Sequence, residues 1–445
     1  MKRYPAYQKT ELPWLKEVPV TWQLIRNKQF LTERKEFVGK DASKYPLLSL
    51  TKQGVILRDV SSGKGKFPKE FDSYKVVEPS NAIFCLFDMD ETPRTIGISK
   101  YRGMITGAYD VFELSNINSR FFYYYYASLD DKKDLKPLYT GLRKTIGVET
   151  FLHAKMPVPS KEEQQQIVLY LDTKTAQIDC AIRGYERLVA LLEERKTAVI
   201  NEAVTKGVRR GVEMKKSGVD WLGEIPAHWE ISNVKKHFHI QKDIAGREGY
   251  DVLSITQTGL KKKNIASNEG QMANDYSGYQ FVHQGEFAMN HMDLLTGYIG
   301  LSPYFGVTSP DYRVFVLDDK ETCDAKYFLY VFQLGYKRKI FYKFGRGAAS
   351  KGRWRLPARA FLDYVIPLPP IDEQRDIVRL IDEQQAKLDK AIAGIQREIE
   401  LLHERRTRLV SDVVTGQVDV RTEVLDDGDG CVGAGAGEAD HALSV

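Results

Sequence analysis

Three arrangements in this chain combine residue types and spacings that could do chemistry. Pro310-Asp311 followed by Asp318-x-Lys320 offers two carboxylates and a lysine. Metal-assisted phosphodiester hydrolysis uses such a set, because acids are needed to hold the ion. The spacing is short, however, and a strand end followed by a turn is the plainer reading. His237-x-His239 could supply two metal ligands but stands outside any wider ligand set. Residues 347–352 have the glycine spacing of a phosphate-binding loop. Arg353-Trp354 follows, where the loop's lysine and hydroxyl should stand. No dinucleotide-type G-x-G-x-x-G follows a strand. There is no Asn-Pro-Pro-aromatic tetrapeptide of the kind that holds a flipped adenine.

The basic segments carry more information. Residues 325–362 contain no acid, yet ten cations fall there, among them Arg346, Lys351, Arg353 and Arg355. Tyr336, Phe341, Tyr342, Phe344 and Trp354 are interleaved with them. Cations among aromatics and glycines suit phosphate neutralisation combined with base-edge or stacking contacts. Further basic loops are Lys64 and Lys66, Arg143 and Lys144, and Lys261-Lys262-Lys263. Together they point to DNA.

These residues belong to a duplicated framework. Trp14-Leu15-Lys16-Glu17-Val18-Pro19-Val20-Thr21-Trp22 recurs as Trp221-Leu222-Gly223-Glu224-Ile225-Pro226-Ala227-His228-Trp229. Met89-Asp90, Ile96-Gly97-Ile98-Ser99 and Tyr109-Asp110-Val111-Phe112 recur as Met292-Asp293, Ile299-Gly300-Leu301-Ser302 and Tyr312-Arg313-Val314-Phe315. Residues 157–208 match 367–418 without a gap, with 21 of 52 positions identical, including Glu163/Glu373, Gln164/Gln374, Asp172/Asp382 and Asp179/Asp389. The chain is therefore two tandem copies of a unit of roughly 207 residues. The first copy has Gly107-Ala108 and Ser115-Asn116-Ile117 where the second has its acids and lysine, and Phe30 and Thr32 where it has the two histidines. That weakens both candidate catalytic sets.

The matched block reads as a long helix. Pro-x-Pro stops the preceding element, and Glu162, Glu163, Asp372 and Glu373 supply the negative charge a helix start favours. An apolar stripe follows: Ile167, Leu171, Ile178, Ile182, Tyr185, Leu188, Leu192 and Val199 in the first copy, and Ile377, Ile381, Leu388, Ile392, Ile395, Leu402 and Leu409 in the second. Narrow stripes between charged faces form coiled-coil seams. The connectivity favours an antiparallel pair; the alternative is that each helix packs on its own domain. The variable parts read as mixed α/β domains, with strands at 82–87, 109–114, 313–317 and 364–368 and aromatic helices at 121–128 and 327–334. The divisions are 1–160, 161–210, 211–370, 371–421 and a Gly/Ala/acid tail, 422–445, expected to be disordered.

Composition excludes other classes. The chain has 445 residues and a net charge of +5, and six acids but no Lys or Arg follow Arg421, so the body carries +11. A body that basic suggests an anionic partner. The N-terminus has no apolar run of the secretory type, and no apolar stretch is long enough to span a bilayer. Four dispersed cysteines without C-x-x-C fit a reducing cytosol.

Two copies of W-L-x-E-[IV]-P-x-x-W, each followed by a variable domain and then P-x-P-x-x-[ED]-E-Q-x-x-I-V leading into a long helix, resemble the specificity subunit of type I restriction–modification systems. The resemblance covers about residues 4–421. It implies a mixed α/β fold: two tandem target recognition domains joined by two helices in an antiparallel coiled coil, pseudo-two-fold and quasi-circular. It implies a non-catalytic, cytoplasmic subunit in which each domain reads half of a bipartite double-stranded DNA target. The implied partners are two modification subunits using S-adenosylmethionine and two restriction subunits using ATP and Mg2+, with no cofactor, metal or membrane bound by the chain itself. Helix blocks 161–206 and 371–416 become the modification-subunit contacts, and segments 141–146 and 352–356 candidate DNA contacts. Two rival readings stand beside it: a coiled-coil adaptor between protein-binding domains, and a metal-dependent nuclease.

Overall fold

The computed structural model describes residues 2–58, 70–257, 259–264, 273, 275–347 and 354–423. Lys64, Lys66, Lys351, Arg353 and the tail from residue 424 lie outside the described residues. The chain divides into two compact units, 1–186 with 397–445 and 187–396.

In the first unit an antiparallel sheet runs Leu31–Glu33, Asp110–Leu114, Ala82–Phe84, Ile96–Ile98. Phe112 lies opposite Glu33 on one side and Ala82 on the other. Successive strand residues point to opposite faces. Phe84 and Phe112 therefore meet Phe122 and Tyr126 of helix α1 (Ser119–Lys132) and Phe151 of helix α2 (Val148–His153). Ile83 and Val111 turn the other way, onto Leu48 and Val55 of the hairpin Leu48–Thr51/Gly54–Leu57. The sheet's inner strand Ala82–Phe84, covered on both faces, is apolar and buried at every position.

The repeated Ile-Gly motif has its reason here. A Cβ on Gly97 would lie 2.6 Å from Leu50 Cδ1 and 2.7 Å from Val55 Cγ2, so only glycine lets the hairpin lie on this strand. Gly300 holds the same place in the second unit, against Leu260.

The second unit repeats the plan. Its sheet runs Phe238–Gln241, Arg313–Leu317, Phe287–Met289, Ile299–Leu301. Phe287 and Phe315 face helix α4 (Ala325–Lys337) through Phe332, with Phe361 of α5 (Ala358–Leu362) beside them. Ala288 and Val314 face Leu253 and Leu260. The strands and aromatic helices expected from the sequence are present. Side-chain caps start both aromatic helices: Asn118 accepts from the Arg120 and Phe121 amides, and Asp324 from those of Lys326 and Tyr327.

The matched blocks form helices α3 (Lys161–Lys206) and α6 (Ile371–Val414). In the first unit, Ile167, Leu171, Ile178 and Ile182 share one core with Leu409, Val410, Val413 and Val414, with Leu402 half-buried against it. The start of α3 lies by the end of α6, because Trp22 sits beside both Glu163 and Gly416, and Asp179 pairs with Arg406. The two segments therefore run antiparallel. In the second unit, Ile200, Ala203 and Val204 share a core with Ile377 and Ile381, Glu373 lies by Gly207, and Lys196 pairs with Asp389. Ile392 is buried, and Leu192 and Leu388 are half-buried.

The stripe is not purely a helix–helix seam. Ile167 and Leu171 also belong to the core that holds Trp22 and Phe121, so the first turns of α3 pack on their own domain. Leu188, which the sequence places in the stripe, is exposed. The second unit follows the same rule at Ile377 and Ile381. The chain also closes on itself within the first unit, where the Asp419 amide donates to the Lys2 carbonyl at 2.9 Å. Among the described residues, no helix is long and apolar enough to cross a membrane.

Candidate nucleic-acid interface

The residues identical between the copies fasten each variable domain to its long helix. Trp22 is fully buried, and its Nε1 donates to Glu163 Oε1 at 3.0 Å; the Tyr4 hydroxyl donates to the same oxygen at 2.7 Å. Gln164 Oε1 accepts from the Asn118 amide at 2.9 Å, which locks the capping residue of α1. Asp172 accepts from the Tyr124 hydroxyl and from Arg120, both at 2.6 Å. In the second unit Gln374 Oε1 accepts from the Asp324 amide at 2.8 Å, and Asp382 pairs with Lys326 and the Tyr330 hydroxyl. Glu373 takes a different partner there: its Oε2 bonds His228 Nε2 at 2.8 Å. The Trp and Glu-Gln motifs are thus anchoring devices that hold the recognition surface at a fixed place on the helix.

From that anchored domain a basic hairpin projects. Thr140 and Thr145 exchange backbone bonds of 2.9 and 3.0 Å, and Arg143 and Lys144 sit in the turn between them. Arg143 bonds Asp88 at 2.7 Å and lies over the Phe87 ring at 5.3 Å; Lys144 bonds Asp90 at 2.8 Å. Each cation holds its partner's carboxyl below the usual carboxylate range. Both cations remain substantially exposed. Exposed pairs of this kind contribute little to stability, so the cations can be transferred to phosphates at small cost.

The second unit carries basic residues at a comparable place: Arg346 and Arg355, both exposed, exchange backbone bonds of 2.8 and 3.0 Å. Trp354 stacks on Tyr342 with ring centroids 5.2 Å apart. Lys261 and Lys262 lie on another hairpin, Leu253–Thr256/Gly259–Lys262. Lys261 is exposed, and Lys262 bonds Asp251 at 2.6 Å and lies 5.3 Å from the Tyr304 ring centroid. The Lys263 amide donates to the Val252 carbonyl at 2.8 Å. The structure therefore brings Arg143 and Lys144 together on one hairpin, and Arg346 beside Arg355. It places Lys261, Lys262 and Lys263 on a separate element.

Sequence reasoning missed the residues beneath these segments. Asp88 and Asp90 bind the first hairpin's cations, and the Asp88 amide donates to the Arg143 carbonyl at 2.8 Å. In the second unit the Leu294 amide donates to the Trp354 carbonyl at 3.2 Å, while Asp293 accepts from the Leu295 amide at 2.9 Å and the Thr296 amide at 3.1 Å. The repeated Met-Asp pair was the available signal. Arg313 was missed too: it is buried, lies over Phe361, and donates to the Leu356 carbonyl at 2.9 Å, tying the sheet to that segment. Burial pushes its guanidinium down to about 10. An arginine opening an otherwise apolar strand was its signal. The first unit has Asp110 at that place, paired with Lys75 at 3.1 Å.

Asp318 and the two histidines have structural partners. Asp318 pairs with His239, and its amide donates to the His237 carbonyl at 2.9 Å. His237 bonds Ser232 at 2.8 Å and approaches Cys323 Sγ at 3.6 Å. Among the described residues, no group of three His, Cys, Asp or Glu side chains is placed to hold a metal ion.

A family model for the type I restriction modification DNA specificity domain matches residues 21–182 and 230–401, well over half of the chain. The chain belongs to this family and carries its domain twice, as two tandem recognition domains. It is 24% identical over 426 residues to the type I restriction enzyme MjaVIII specificity subunit of Methanocaldococcus jannaschii, covering 91% of this chain and 94% of that protein. A second protein of that organism, provisionally described as the MjaX specificity subunit, is 24% identical over 295 residues; the match spans 63% of each chain. A solved chain from work on assembly and conformational transition of the type I R-M system shares the fold, with TM-score 0.62 at 12% identity over 90% of this chain and 99% of that one. DNA, with methylase and restriction components, is the partner set this membership implies. The adaptor and nuclease readings find no support.

Proposed function

We propose that this chain is the non-catalytic, cytoplasmic target-reading component of a type I complex. Each recognition domain reads one half of an asymmetric bipartite duplex site, and the helix pair sets the spacer between the halves. Two modification subunits, docked on the helices, would methylate one adenine per half-site with S-adenosylmethionine, and two restriction subunits would use ATP and Mg2+. The chain's own residues would bind, orient and space; every cofactor would reside on the partners.

One observation carries the reading: identical anchors, Gln164/Asp172 and Gln374/Asp382, hold the aromatic helices of two domains that share one plan, while their basic segments differ in sequence, Gly141-Leu142-Arg143-Lys144-Thr145 against Lys351-Gly352-Arg353-Trp354-Arg355. Equal mounting with unequal contact residues is what an asymmetric two-part target requires. The test is to map methylated adenines in a host expressing the chain with its modification partner. Two different half-motifs at a fixed spacing are expected, and residues inserted into a long helix should change the spacing alone. Changed half-motifs with an unchanged spacer would sink the reading. In a binding assay, Arg346→Glu with Arg355→Glu should weaken duplex affinity and lower its salt slope by about one for each phosphate no longer neutralised.

A further inference from the structure

We propose that Leu142 is an apolar wedge that enters the base stack of the half-site read by the first recognition domain. The proposal rests on the DNA-specificity reading and adds a residue and a mode of contact to it.

Leu142 is 102% exposed, as open to water as in an isolated peptide. Single exposed apolar residues are ordinary on protein surfaces. Three features set this one apart. It stands at the apex of a turn, between Gly141 at φ +68° and Arg143, with Lys144 at φ +44° closing the turn. The turn is held at its base and along one side: Thr140 and Thr145 exchange backbone bonds, the Arg143 carbonyl accepts from Asp88, and the Ile146 amide donates to Leu86 at 2.8 Å. Only the tip is free, so a side chain there is presented without a large ordering cost on binding. Finally, the next two residues are cations whose present partners, Asp88 and Asp90, are surface carboxylates. Passing those cations to flanking phosphates would seat the tip in a groove.

Leucine is among the side chains that proteins drive between base steps, partly unstacking them and kinking the duplex. Adenine methylation needs a base taken out of the stack, so local unstacking serves the same complex. The matching position in the second copy is Gly352, which has no side chain to insert. The wedge is proposed for the half-site read by the first domain, and labels placed in the other half-site serve as the comparison.

The test uses the full chain assembled with its modification partner and duplexes carrying 2-aminopurine at successive half-site positions, the methylated adenines excepted. The expected result is a fluorescence rise at one step, in one half-site. Leu142→Ala should abolish that rise and weaken binding on the order of ten-fold, with the salt slope unchanged, because every phosphate keeps its cation. Leu142→Met should keep both the rise and the affinity. Selective binding without a rise at any position, or a rise that survives Leu142→Ala, overturns the wedge. Absence of selective duplex binding by the unaltered complex looks different, and removes the DNA reading and the wedge with it.

Discussion

Arg406 Nε donates to Asp179 Oδ1 at 2.8 Å across 227 positions of sequence. Moving both partners by the 210-residue repeat offset gives the other cross-helix pair, Lys196 with Asp389 at 2.6 Å. Asp179 and Asp389 are identical in the two copies, and Arg406 answers Lys196. Each aspartate of the repeat therefore meets the cation of the other copy, which is how a surface pairs with its own duplicate.

The first prediction concerns this pair. Both side chains are partly exposed, so the coupling should be modest, about 0.5–1 kcal/mol in a double-mutant cycle. Asp179→Arg alone should lower stability, and adding Arg406→Asp should recover most of the loss. A urea-denaturation cycle measures it; zero coupling would mean the pair only tolerates its geometry.

Glu163 should be far more sensitive. Glu163→Ala leaves the buried Trp22 Nε1 and Tyr4 hydroxyl without their acceptor, at a cost of about 2–4 kcal/mol. Glu163→Gln keeps an acceptor oxygen and should lose about half as much. Thermal unfolding of the two variants side by side is the check, and equal losses would point to charge rather than satisfaction of the donors.

Gly97→Val should destabilise the first recognition domain by about 2–4 kcal/mol, because the new side chain would overlap Leu50 and Val55. Pairing it with Leu50→Ala should recover part of the loss. Hydrogen exchange across 48–57 reads the displacement of the hairpin directly.

A pH prediction follows from His291. Its Nδ1 is buried without a partner among the described residues, and burial, with Arg313 and Arg355 adding to it, brings the imidazole down to about 4. The unfolded imidazole takes its proton near 6.5. Below that pH the unfolded chain binds a proton the fold refuses, so stability falls as pH drops from about 6.5 towards 4, by on the order of 3 kcal/mol in all. Urea midpoints at pH 7 and pH 5 should differ more for the unaltered chain than for His291→Asn. Parallel slopes would refute the assignment.

Much of this was legible in sequence. Duplication, helix blocks and strand runs follow from periodicity and from identity at a fixed offset, which are local or self-referential patterns. The roles of Glu163, Gln164 and Asp172 were not legible, although their identity across copies was plain, because the partners Trp22, Asn118 and Tyr124 lie 46 to 141 residues away. Nor could spacing show that Arg143 and Lys144 are held by Asp88 and Asp90.

By itself the sequence determined the two-copy plan, its long helices and its basic loops, since amphipathic period and repeat offset are written in residue order. Tertiary structure alone decided that the apolar stripe is shared between helix partner and domain core, that the repeated motifs are anchors, and that Leu142 stands clear of every neighbour. Burial, orphaned donors and exposure are properties of what surrounds an atom, and folding brings those surroundings from distant parts of the chain.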